Sequence, residues 1–118
     1  MEKVTVTLKF ETRSVAMSMI DGTTKTFTLR EFSGLTRDEY LDAVGQESIL
    51  VDGKVTGFKK FSKLRVGLLA LCLHDENGNL VSEEAISKYP NAAIKTLYKM
   101  AQDLNGLGAT GVDTVKNA

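Results

Sequence analysis

The amino-acid sequence predicts an α+β fold: an N-terminal antiparallel β-hairpin or small sheet, followed by a mainly α-helical part. Apolar residues alternate with period two between Val4 and Leu29, and then recur at helical spacing from Phe61 onward. Asp-Gly and Asn-Gly pairs punctuate the chain between these stretches. At 118 residues there is enough chain for one hydrophobic core and too little for two comfortable ones. Residues 1–107 are therefore expected to form a single domain. Residues 108–118, with Gly108 and Gly111 and little to anchor them, are expected to be a flexible tail.

Val4, Val6, Leu8 and Phe10 alternate with Thr5, Thr7 and Lys9, the pattern of a half-buried strand. Val15 to Ile20 is a second apolar stretch, and Asp21-Gly22 supplies a tight hairpin turn. Beyond it Lys25, Phe27 and Leu29 alternate with Thr24, Thr26 and Thr28, so this sheet carries a threonine face. Its edges are candidates for pairing with another chain.

Thr36 followed by Glu39 reads as a capping box, with Leu35 and Tyr40 as its hydrophobic staple. That helix points Tyr40, Leu41 and Val44 inward and fades near Gly45. The next stretch combines an Asp52-Gly53 turn with Ile49, Leu50, Val51 and Val55, and suits either a loop packed over the core or a short hairpin. Phe61, Leu64, Leu68, Leu71 and Cys72 then share one helical face, widened by Leu69 and Leu73, and this helix is expected at the centre of the core. A polar cluster from His74 to Asn79 ends it. Ser82 caps a short helix whose first turn holds Glu83 and Glu84. Pro90 separates it from a last helix, capped by Asn91, with Ile94, Leu97, Tyr98, Ala101 and Leu104 in register and a stop near Asn105-Gly106.

Composition narrows the function classes. Fifteen basic side chains balance fifteen acidic ones, which argues against a nucleic-acid wrapper or an acidic mimic. One cysteine and one histidine cannot build an internal disulfide, a thiolate zinc cluster or a His-rich metal site. The longest apolar run, Val66 to Leu73, falls far short of the about 20 residues that cross a bilayer. The start of the chain has no apolar signal core, so a cytosolic protein is expected.

The chemical candidates are thin. His74 lies beside Asp75 and two residues from Cys72, a spacing that puts neither on a shared helical face with it. Asp75, Asn77 and Asn79 open like a calcium loop, but the sixth position is Leu80 and the twelfth is Ile86. The glycines match neither a phosphate loop nor a dinucleotide fingerprint. No catalytic residue, cofactor or metal is assigned, and no enzyme activity is expected. Lys54, Lys59, Lys60, Lys63 and Arg65, interleaved with Phe58 and Phe61, form the one basic cluster. It could serve an acidic protein partner or, as a lesser alternative, a small nucleic-acid-binding module.

Three stretches carry a resemblance. They are FTLREFSGLTRDEYL (27–41), GLLALCLHDENGNLV (67–81), and LYKMAQDLNGL (97–107), which ends in Asn-Gly-Leu. In order and spacing the chain resembles the tail assembly chaperones of long-tailed (siphovirus-type) bacteriophages. The resemblance implies a non-enzymatic interaction protein, working in the cytoplasm of the infected or lysogenic bacterial host. Its partners would be the tape measure protein and the major tail tube protein; self-association fits the role, and the protein is not expected in the mature virion. No residue role transfers from the family. The surfaces expected to touch a partner are the hairpin around Asp21-Gly22, the stretch from Ile49 to Phe58, the basic group Lys59, Lys60, Lys63 and Arg65, and the last helix near Tyr98 and Leu107. A structural tail tube or connector subunit is the alternative.

Overall fold

The computed structural model describes residues 3–59 and 61–107, without the side chains of 61 and 62. The expected tail, residues 108–118, lies outside the described residues, as does Lys60. The α+β expectation holds, with an N-terminal antiparallel sheet followed by helices.

Strands β1 (Thr12–Ser18) and β2 (Thr24–Arg30) pair antiparallel, with Val15 opposite Phe27 and Ser18 opposite Thr24. Gly22 closes their turn at φ 87°, a left-handed value that costs glycine little. The Thr23 amide and hydroxyl donate to the Asp21 carboxylate at 3.0 and 2.6 Å, and these bonds hold that carboxyl below its ordinary pKa range. Val15, Met17, Phe27 and Leu29 pack on the core, while Ser14, Ser18, Thr24 and Thr26 stay exposed.

Residues 4–10 do not join this sheet, which corrects the expectation of a half-buried strand. Val4, Val6 and Leu8 are 90, 74 and 91% exposed and pair with no described strand. Alternation makes a segment competent to be a strand but does not supply its neighbour. Glu11 does extend the ladder: its carbonyl accepts from the Glu31 amide at 2.9 Å, and its own amide donates to the Glu31 carboxylate at 2.8 Å. The Arg30 guanidinium lies 4.2 Å from the centre of the Phe10 ring.

Helix α1 (Gly34–Glu47) begins three residues earlier than the expected cap at Thr36 would place it. Ser33, not Thr36, is the N-cap, its hydroxyl accepting from the Thr36 amide at 3.2 Å. Leu35 is exposed rather than stapled, and Phe32 packs on Tyr40 instead, with ring centres 6.3 Å apart. The chain then enters β3 (Ser48–Val51) and β4 (Lys54–Phe58), an antiparallel hairpin that settles the open choice between loop and hairpin. Asp52 and Gly53 adopt φ of 52° and 78°, the pair of positive values that a tight hairpin turn requires. The register slips between Ile49 and Leu50, leaving Thr56 as a bulge whose hydroxyl donates to the Ile49 carbonyl at 3.3 Å.

Helix α2 (Phe61–Cys72) buries Leu64, Leu68, Leu69 and Cys72 at the centre of the core, as expected. Leu71 lies off that stripe and is exposed, and the Phe61 side chain lies outside those described. Leu73 does not continue the helical face. It opens a two-residue strand, β5 (Leu73–His74), which pairs with β2 and gives the sheet order β1-β2-β5. Two residues are too few for any periodicity, so this strand left no signal in the sequence.

Ser82 caps α3 (Glu83–Ser87) as expected, accepting from the Ala85 amide at 3.2 Å. Helix α4 (Asn91–Leu104) packs along α2 and buries Ile94, Leu97, Tyr98, Ala101 and Leu104. Asn91 is its first helical residue and not its cap; Pro90 precedes it with no side-chain cap. The helix ends in a Schellman motif: Gly106 sits at φ 67°, its amide donates to the Asp103 carbonyl, and the Leu107 amide donates to the Gln102 carbonyl.

Candidate partner-binding surface

The residues singled out as partner-binding do not form one surface. Tyr98 and Leu107 are 6% and 3% exposed and belong to the core, so the expectation that they face a partner is corrected. The reasons are local. Tyr98 lies on the apolar stripe of α4, and Leu107 occupies the position after a Schellman glycine, where an apolar side chain folds back on its helix. Phe58 ends β4 half-buried against the core. Lys59 is exposed, with its amide bonded to the Glu47 carbonyl at 2.8 Å. Lys63 is exposed on α2, and Arg65 is half-buried, donating to Asn91 Oδ1 at 3.1 Å.

Lys63 and Arg65 line a groove between α2, α3 and the start of α4, and Glu83 and Glu84 line it with them. Its charge is mixed, which suits a polar protein contact better than a phosphate backbone. A second groove, on the sheet beside the His74–Asn79 turn, carries threonines 24, 26 and 28 and the Lys25–Glu76 ion pair at 3.5 Å.

The third groove is apolar and was not legible as a site. It measures about 510 Å³ and runs along β1 against the corner of α3 and α4, with Val15, Met17 and Met19 on one wall and Tyr89, Ala93 and Leu97 on the other. Ala92 and Ala93, two and three residues after Pro90, were the available signal, because small side chains at a helix start leave room beside a sheet.

The β3–β4 hairpin is a further exposed apolar surface, where Ile49, Leu50, Val51 and Val55 all face solvent. This segment, Ile49 to Phe58, is one of the surfaces expected from the sequence to touch a partner.

His74 and Cys72 are not arranged as a nucleophile and base. His74 Nδ1 lies 3.1 Å from the Cys72 carbonyl oxygen, not its thiol, and Cys72 is fully buried. Burial pushes the thiol up to about 11, with a smaller opposing effect from Asn105, whose Nδ2 lies 3.4 Å from the sulfur. The Asp75 carboxylate accepts from the amides of Asn77 and Asn79 at 2.9 and 3.0 Å, which is how this turn is built. Among the described residues no group of three or more His, Cys, Asp or Glu side chains could hold a metal ion, and no helix is long and apolar enough to cross a membrane.

No family model, curated protein or solved structure matches this chain.

Proposed function

We propose that this chain is a non-enzymatic phage tail assembly chaperone. It would bind the tape measure protein in the host cytoplasm, help recruit tail tube subunits and be absent from the finished particle. The observation that carries the proposal, alongside the resemblance, is the β3–β4 hairpin, which holds four large aliphatic side chains outside the core. A holder of a long, helix-rich partner needs accessible apolar surface more than a catalytic pocket.

Co-expression with a tape measure protein from the same genome tests this. A soluble, multi-copy complex is expected, weakened by Leu50→Asp, which alters a side chain that is 64% exposed. A soluble tape measure protein that leaves the folded chain unbound would overturn the proposal. A structural tube or connector subunit is the second reading, favoured by the outer edge of β1, which no described strand covers, since polymerising subunits use such edges. Finding the chain in purified particles would select that reading instead.

A further inference from the structure

We infer that residues 4–8 of one copy of this chain add as a strand to the outer edge of β1 in a second copy. This self-association is independent of the tail-assembly reading and stands on three features of the molecule.

The first is a strand without a sheet. Val4, Val6 and Leu8 hold the alternation of a half-buried strand, yet each is at least 74% exposed. The second is a sheet edge without a strand. β1 ends the order β1-β2-β5, and no described strand pairs with its outer side. Arg13 apart, β1 has none of the charges or prolines that usually guard such an edge.

The third is the apolar groove beside that edge. A strand laid next to β1 would direct alternate side chains over the gap between Met17 and Ala93. Val4, Val6 and Leu8 would fill it, while Thr5 and Thr7 would extend the exposed face that Thr24 and Thr26 already form. Pattern, length and polarity therefore match on both faces, five residues being an ordinary strand length.

The chain's own arm is poorly placed to do this. Glu11 is bonded to Glu31 on both sides and Phe10 rests on Arg30, so the chain runs into β1 in line with the strand. Folding back onto the outer edge would need a reversal at residues 9–11 and the loss of those contacts. A second copy meets no such obstacle.

Sedimentation velocity on the full chain across a range of concentrations provides the test, with two variants at exposed positions. Val6→Asp with Leu8→Asp disables the arm, and Ala92→Arg obstructs the groove; neither touches the core. The wild-type chain is expected to associate. Each variant alone should sediment as a folded 12.9 kDa monomer, with unchanged circular dichroism. An equimolar mixture should recover association, because an intact arm then meets an intact groove. A wild type that stays monomeric to millimolar concentration overturns the inference, and so does a double-aspartate variant that associates like wild type. Isotope-filtered NMR on mixed labelled and unlabelled chains adds a further check. Contacts from Leu8 methyls to Met17 or Leu97 within one copy only would show the arm folding back on itself, and would also overturn it.

Discussion

The two β-hairpins of this protein are built alike and end differently. β1–β2 and β3–β4 are both antiparallel, both turn on an Asp-Gly pair with glycine at positive φ, and both are rich in β-branched or aliphatic residues. In the first, Phe27 and Leu29 are buried under the helices; in the second, Ile49, Leu50, Val51 and Val55 remain exposed. Turn chemistry and alternation suffice to make a hairpin. Whether its apolar face becomes core depends on what lies across it, and an uncovered two-stranded hairpin is marginally stable in water.

The sharpest contrast should come from paired truncations. Leu29→Ala empties a fully buried site and is expected to cost about 3 kcal/mol, whereas Leu50→Ala should change stability by less than about 0.5 kcal/mol. Denaturant midpoints measure both. Equal losses would mean that the second hairpin is covered after all, and the comparison would collapse.

Alkali should distinguish the regions next. The Cys72 thiol, on α2 in the core that the first hairpin packs against, is pushed up by burial to about 11, against an ordinary value of 9.0. A raised pKa stabilises the fold fully below the unfolded value and loses that contribution as pH climbs to the folded value. Stability should therefore fall between about pH 9 and 11 by on the order of 3 kcal/mol, and Cys72→Ala should flatten that slope. At neutral pH, thiol reagents should label Cys72 only when the main body opens, not when the β3–β4 hairpin does.

Asn105 ties the main body together. Its side chain accepts from the Phe32 amide at 3.0 Å and donates to the Ala101 carbonyl at 2.9 Å, linking the end of α4 to the start of α1. Asn105→Ala should cost about 2 kcal/mol by thermal or chemical unfolding, since it strands part-buried partners. Ser33→Ala should cost about 1 kcal/mol through its lost cap, while Glu39→Gln leaves stability nearly unchanged. The opposite ranking would restore the capping box at Thr36.

The smallest global effect is expected at the second hairpin's turn. Gly53→Ala forces a side chain into left-handed backbone, and should speed amide exchange in β3 and β4 while leaving the unfolding midpoint of the body within error. A shift of the whole transition would show that the hairpin and body unfold as one unit.

Much of the fold was legible because its signals are local. Asp21-Gly22 and Asp52-Gly53 dictate turns, Ser82 dictates a cap, and the spacing of Ile94, Leu97, Tyr98, Ala101 and Leu104 dictates a buried helical face. The cap of α1 was misplaced because Ser33 and Thr36 both satisfy the local rule, and only the path of Phe32 onto Tyr40 separates them. The candidate surfaces were less legible. Tyr98 and Leu107 looked like contact residues and proved to be core, while the groove between β1 and α4 joins segments far apart along the chain, such as Met17 and Ala93.

Local backbone preference and side-chain periodicity thus settle which segments of this chain are competent to be strands, helices and turns. They do not settle which of those segments are covered. Residues 4–8 and Val15 to Met17 carry the same kind of alternation, yet one is bare and the other lies against the core. Burial is a relation between segments distant along the chain. The free energy of removing apolar surface from water is gained only where the fold brings a second surface to meet it.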